Sequence, residues 1–299
     1  MKLTISIFLI LISQLSFGGE IALTFDDAPT RSSNLMSGFE RTQKLITGLV
    51  ESEVPDALFF VKTSAITRSN QGRLADYENA GFHLANHSHT HQSANDLTHY
   101  EYLRDIQTAQ IALNQFTSVL PYHRFPYLRY GATQESINNI QSGLSDLGYK
   151  NGYVTVDNFD WYMNALVRDA VREGKTINYD KLGDLYVEVI WEAIKFYDQI
   201  AQKTLGRSPR HVLLLHENDL AALYISRLIE HIRNQGWEII SPQQAYKDPI
   251  SEYFPTGTFH NQGRVAAIAH EKGVPADQLR NGTELKESLR SRFENAGIF

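Results

Sequence analysis

Glu20-Ile21-Ala22-Leu23-Thr24-Phe25-Asp26-Asp27-Ala28-Pro29 is the stretch from which the rest of this chain is read. Glu20 to Phe25 is a short β-rich run, and two adjacent carboxylates stand directly at its end. About sixty residues on, another such run ends in His87-Ser88-His89-Thr90-His91. Parallel α/β folds gather ligand sites at the carboxyl ends of their strands, so both groups fall on the side where chemistry is expected. One carboxylate and two imidazoles supply three side-chain ligands for a divalent metal and leave a position open for water. The second carboxylate can then take a proton from that water. The residues imply metal-assisted hydrolysis.

Outward from this stretch, short β-rich runs alternate with helical patterns. Further strands are expected at Ala57 to Val61, Phe82 to Asn86, His123 to Tyr127, Tyr153 to Val156, Val212 to Leu215 and Trp237 to Ile240. Helical spacing is expected over Phe39 to Val50, Leu97 to Phe116, Ser136 to Leu147 and Leu220 to Arg233, with a longer block from Tyr162 to Leu205 split near Gly174. Seven strands alternating with helices predict a parallel α/β architecture, either a barrel or an open sheet. In that reading Asp157 and Asp160 leave the fifth strand and His216 the sixth. The polar last fifty residues, with helical patterns near Arg264 to Lys272 and Thr283 to Asn295, read as an extension packed on the domain.

Composition removes several alternatives. The 299 residues contain no cysteine, so disulfides, thiolate metal sites and a cysteine nucleophile are all excluded, and a metal must be held by His and carboxylate. A formal charge of −6 without Lys/Arg blocks argues against a nucleic-acid partner. Met1-Lys2, the apolar run Leu3 to Phe17 and small residues at Ser16 and Gly18 have the pattern of a signal peptide over residues 1–18. That run is shorter than the roughly 20 residues needed to span a bilayer, so no stable membrane anchor is expected after cleavage. An exported protein, periplasmic or secreted, is the expectation.

Five short motifs in order resemble the polysaccharide deacetylases of the NodB-homology type, carbohydrate esterase family 4. They are Thr24-Phe25-Asp26-Asp27, His87 to His91 preceded by Asn86, Arg124-Phe125-Pro126-Tyr127, Asp157-Asn158-Phe159-Asp160-Trp161 and Leu214-Leu215-His216. The resemblance covers roughly residues 20–246; each motif alone is weak, but five in order are specific. It implies a distorted (β/α)7 barrel over 19–247, here with a helical insertion at 162–205 and a C-terminal helical extension at 248–299. Residue geometry leaves the second imidazole open, because His87 and His89 share a face on a strand and His87 and His91 on a helical turn. The resemblance selects Asp27, His87 and His91 as metal ligands and Zn²⁺ as the expected ion. His89 is then left off the metal. His83, His99 and His123 read as surface histidines.

The same resemblance makes Asp26 the general base and Arg124 its partner, gripping the carboxylate through two donors. It makes the Tyr127 N–H an oxyanion donor, Trp161 and Leu214 walls of the acetyl pocket, and Asp160 the group that holds His216. His216 would be the general acid, since an amide nitrogen leaves poorly as an anion. The implied substrate is an N-acetylhexosamine glycan such as peptidoglycan, chitin or an exopolysaccharide. An O-acetyl esterase acting on acetylated xylan shares the machinery, and a non-catalytic glycan-binding module shares the fold. The latter should have lost a base, ligand or acid, and none is missing. Ala28 stands where the family usually has Gly and deletes no chemical group.

Overall fold

The computed structural model describes residues 18–254 and 256–299, so the leader expected at residues 1–18 lies, but for Gly18, outside it. Seven parallel strands form one sheet: β1 Glu20–Ala28, β2 Ala57–Val61, β3 His83–Asn86, β4 Val119–His123, β5 Lys150–Asn151, β6 His211–His216 and β7 Glu238–Ile239. Their order is β5-β4-β3-β2-β1-β6, with β7 beside the first two residues of β1. The helices are α1 Gly38–Glu51, α2 Gln71–Asn79, α3 His99–Leu113, α4 Gln134–Asp146, α5 Asp160–Arg172, α6 Tyr179–Leu205, α7 Asp219–Asn234, α8 Pro242–Ala245, α9 Arg264–Glu271 and α10 Lys286–Ala296. Past β5 the chain reaches the other edge of the sheet. Thr155 and Val156 N–H groups both donate to Val212 O, and Val156 bridges Leu213, so the curled sheet nearly closes into a distorted barrel.

Strand periodicity explains how the sheet divides its faces. Leu23, Phe25, Phe59, Val61, Leu213 and Leu215 point to one buried cluster that takes in the apolar faces of α1, α6 and α7. The alternate residues Ala22, Leu58, Phe60, Ala85, Val212 and Leu214 form a second cluster with Tyr153 and Tyr246, inside the curl. Thr24 and Asp26 continue the row of Ala22 and so project inward. Leu279, Leu289, Phe293 and Ile298 belong to the first cluster, so the last residues have no separate core of their own. Caps set the helix starts: Thr98 and Glu101 form a reciprocal capping box at α3, and Ser37 accepts from Glu40 N–H at α1. Among the described residues no helix is long and apolar enough to cross a membrane.

Two strand expectations are corrected. The fourth strand is Val119–His123, and Pro126–Leu128 is a short 3₁₀ turn in place of its continuation. Proline ends the ladder, because it lacks an N–H, and Tyr127 and Leu128 carry φ of 59° and 51°, outside the β region. The fifth strand is Lys150–Asn151. Tyr153 to Val156 is apolar because it is buried at the seam next to β6, not because it is a ladder strand. Helix α2 had no strong apolar periodicity to announce it; its buried face includes Arg73.

Candidate active site

The parallel register of β1 and β6 pairs Asp26 with His216, so neighbouring strand ends present a carboxylate and an imidazole side by side. One residue further, Asp27 sits at an irregularity of the β1–β2 pairing with φ 70°, and Asp27 Oδ1 and Asp26 Oδ2 lie 3.8 and 3.6 Å from the same atom, His87 Nε2. His87 leaves β3, with its N–H on Val61 O. His91 stands on a turn held by two side chains: Ser88 N–H donates to Asn86 Oδ1 at 2.8 Å, and His91 N–H donates to Ser88 Oγ at 2.9 Å. Asp27, Ser88, His91, Tyr127 and Leu128 all have positive φ, as does Asn261; among described non-glycine residues only Glu53 has it elsewhere. Such conformations cost on the order of 1 kcal/mol each and persist where the surroundings over-determine them. Their concentration here marks a site built against local preference.

Asp27, His87 and His91 form the one three-ligand group found among the described residues, each offering an atom within 4.8 Å of the others. His91 Nε2 and His87 Nε2 lie 3.2 and 3.8 Å from Asp27 Oδ1. Ligands about 2.0–2.2 Å from one tetrahedral centre sit about 3.2–3.6 Å apart, so the donor set fits a divalent ion with little movement. His87 Nδ1 is 2.9 Å from Arg124 O, which can only accept, so Nδ1 carries the proton and Nε2 is a bare lone pair facing Asp27. Burial pushes both imidazoles down to about 4, and Asp27 is held below the usual carboxylate range because His91 and His87 outweigh its burial. All three are therefore in the ligating state at neutral pH. His89 turns away, with Nδ1 on Thr63 Oγ1 at 2.9 Å and its N–H on Asp105.

Asp26 is buried, and burial pushes its carboxyl up to about 6, with Arg124 working in the opposite direction. The expected two-donor grip is corrected: only Arg124 Nη1 reaches Asp26, at 2.8 Å. Nη2 serves Thr24 Oγ1 and Tyr246 Oη, both at 3.1 Å, Nε donates to Gly152 O, and the guanidinium lies 4.0 Å over the Phe60 ring. A fully buried arginine must satisfy every donor, so it is shared round the interior instead of being spent on one carboxylate. Tyr246, whose hydroxyl donates a hydrogen bond to Tyr153 O, was not visible as a site residue, having no motif spacing to reveal it.

Asp160 is fully buried and accepts from His216 Nδ1 at 2.7 Å, His216 N at 2.9 Å and Asn218 Nδ2 at 2.8 Å. Burial works against charge on His216, but Asp160, then Asp27 and Asp26, overcome it and raise the imidazole to about 10. One cavity of about 590 Å³ is lined by Asp26, Asp27, His87, His91, Tyr127, Trp161, Leu214 and His216. Tyr127 and Trp161 are 58% and 38% exposed, so Trp161 is a wall of that cavity and not core packing. A second cavity of about 560 Å³, between α4, β5 and Tyr246, has no such group of ligands. His123 is corrected from surface to core: it is fully buried between Tyr102 Oη at 2.9 Å and Asn86 Oδ1 at 3.2 Å, because β4 ends on it. His83 is half-buried on Asp56.

With this geometry in view, the comparison with known families is direct. Residues 18–152, which hold the first three motifs, match the family described as polysaccharide deacetylase. Over those residues the chain resembles the polysaccharide deacetylase family. Three solved structures show how far its fold is shared. A family 4 carbohydrate esterase from Streptomyces lividans, in complex with acetate, is 21% identical with a TM-score of 0.51 over 77% of this chain and 97% of its own. A peptidoglycan deacetylase from Bacillus subtilis is 20% identical, with a TM-score of 0.50 over 77% and 90%. A family 4 pseudoenzyme from Bacillus anthracis is 15% identical, with a TM-score of 0.52 over 76% and 64%. At these identities the likeness establishes the fold, the distorted (β/α)7 barrel. No curated protein matches the sequence.

Proposed function

We propose that this chain is a metal-dependent deacetylase that removes N-acetyl groups from an N-acetylhexosamine glycan and releases acetate. What carries the reading is one cavity holding a two-His, one-Asp cation site, a carboxylate with a pKa near neutrality and an imidazole kept protonated at physiological pH. Asp27, His87 and His91 would hold the cation, with Zn²⁺ the ion best suited to that donor set. A divalent cation there supplies Lewis acidity, polarising the acetyl carbonyl and acidifying the attacking water.

Asp26, with its pKa near 6, accepts the proton of that water. Arg124 fixes the carboxylate in place through Nη1. The Tyr127 N–H stands as a donor for the developing oxyanion. His216, charged and locked on Asp160, delivers a proton to the departing nitrogen. An amine needs that proton to leave, whereas an alkoxide leaves more readily, and a histidine raised to about 10 is a strong provision for the harder case. Trp161 and Leu214 wall the space for the acetyl methyl. Export, as the leader pattern suggests, would bring such an enzyme to extracellular glycans.

The pseudoenzyme among the solved relatives makes a silent glycan-binding protein the second reading. It is disfavoured because base, acid and all three cation ligands are present here. The deciding experiment measures acetate release from oligosaccharides carrying either N- or O-acetyl groups, on zinc-loaded protein. Release from N-acetylated glycans that stops on chelation supports the proposal. Release only from O-acetylated xylan makes it an esterase, and no release from any glycan makes it a binding module.

A further inference from the structure

Part of the cavity wall is not used by the cation and proton machinery. Asn261 and Arg280, both from the C-terminal segment, line the cavity, as does Lys62 from the end of β2. Arg129, just past the Pro126–Leu128 turn, donates from Nε to Asn261 Oδ1 at 2.8 Å. Arg280 Nη2 lies 3.5 Å from Asn261 O. One asparagine therefore ties two guanidinium groups, distant in sequence, to the same wall. Asn261 is itself pinned there, with its N–H on Leu128 O at 3.1 Å and a φ of 60°.

The charge on this wall is unbalanced. Among the described residues Arg129, Arg280 and Lys62 have no carboxylate within ion-pair distance. Two of them, Arg280 and Lys62, line the cavity, and Arg129 is tied to the lining residue Asn261, in a chain whose formal charge is −6. Of the carboxylates that line it, Asp26 is taken by Arg124 and Asp27 belongs to the cation site. The third, Asp157, is buried and pushed up to about 7 by that burial, so it offers Arg280 only a partial counter-charge. Guanidinium groups with free donors suit a planar carboxylate.

We infer that Arg280, held with Arg129 through Asn261, is a specificity-determining residue that binds a carboxylate carried by the glycan close to its acetylated sugar. The substrate class is then an acidic N-acetylated glycan and not a neutral one. This rests on the deacetylase reading above and narrows it. The carboxylate can sit on a uronic acid ring or on an ether-linked lactyl group, and both present the same two oxygens to the arginine.

The test uses zinc-loaded full-length protein and N-acetylated oligosaccharides of matched length in three forms: neutral, with a neighbouring uronic acid, and with a lactyl ether. A parallel arm measures equilibrium binding of uronic-acid oligomers and neutral glucose oligomers that contain no acetyl group, so that it does not depend on turnover. At low ionic strength the acidic ligands should bind, and their acetylated forms react in kcat/KM, about tenfold better than the neutral ones, mainly through KM. About 0.5 M salt should erode the preference. Arg280→Gln should reduce it to near unity and Arg280→Lys should restore part of it; Arg129→Gln should weaken it less. Equal binding of acidic and neutral oligomers overturns the inference, as does a preference that persists in Arg280→Gln. Acetate release without charge preference sinks this inference alone. Acidic binding through Arg280 with no release from any glycan sinks the deacetylase reading alone. The uronic and lactyl arms show which source of carboxylate is accepted.

Discussion

Replacing Asp160 by asparagine removes one charge from behind His216 while keeping the shape of the side chain. Its Oδ1 accepts from His216 Nδ1, and an asparagine oxygen can do the same. The second oxygen accepts from His216 N and Asn218 Nδ2, and an amide nitrogen there would face two donors. That mismatch should cost about 1–3 kcal/mol of stability and lower Tm. The effect on acidity is larger. His216 stands at about 10 because Asp160 leads the charges that overcome its burial. Without that charge the imidazole should fall to its ordinary value of about 6.5 or below. At about pH 8.5 a group at about 10 is almost wholly protonated, whereas one at about 6.5 is only about 1% protonated. Amide deacetylation by Asp160→Asn should therefore drop about 100-fold at that pH and much less near pH 6. The assay is a pH profile of kcat/KM for acetate release from an N-acetylglucosamine oligomer, with bound metal measured in each sample. The linkage has a defined sign. A raised imidazole contributes stability that is full below about 6.5 and is lost as pH rises through about 10, so the Tm gap between wild type and variant should narrow towards pH 10. An alkaline limb at the same pH in both proteins would refute the assignment of Asp160 as the source of His216's acidity.

Asp26→Asn should retain stoichiometric zinc and lose on the order of 10²–10⁴ in turnover, because an amide cannot accept the proton; metal loss reversed by excess zinc would make Asp26 a ligand instead. His91→Ala and Asp27→Ala should fail to hold zinc through dialysis while His89→Ala keeps it, as read by metal content; the reverse pattern would reassign the second imidazole. His216→Ala should depress release from an N-acetylated sugar far more than hydrolysis of an aryl acetate on metal-loaded protein at one pH. Equal losses would mean that His216 acts before the leaving group departs. Tyr246→Phe removes one acceptor for buried Arg124 and should lower Tm by an amount equivalent to about 1–3 kcal/mol without releasing zinc; an unchanged Tm would show that the Arg124 contact carries no energy.

Most of the secondary structure could be read because its signals are local. β2 is a continuous apolar run that is buried at every residue, and α1 and α7 bury one helical face each. Local patterns failed where burial came from elsewhere. Tyr153 to Val156 has strand composition but sits in a barrel seam, and His123 looks like a polar surface residue until β4 places it against Tyr102 and Asn86. Such errors share a cause: an apolar or polar residue type reports its need for a partner, not where that partner is.

For the site the division is sharper. Sequence alone determined the chemical inventory: two carboxylates at a strand end, imidazoles at His87, His89 and His91, and Asp160 and His216 further on, all on the side of a parallel sheet where ligands bind. It also left His89 and His91 unresolved on residue geometry. The tertiary structure brings His91 and not His89 beside Asp27, because the positive φ of Ser88 and His91 belongs to neither a strand nor a helix and is held by Asn86 and Ser88 side chains. Likewise, the sharing of Arg124 among Asp26, Thr24, Tyr246 and Gly152, and the meeting of Arg129 and Arg280 on Asn261, depend on residues separated by 19 to 132 positions. No spacing encodes such contacts. They arise when the sheet curls and the C-terminal segment packs over the cavity, since a buried or crowded charge takes its partners from whatever the fold brings within hydrogen-bonding reach.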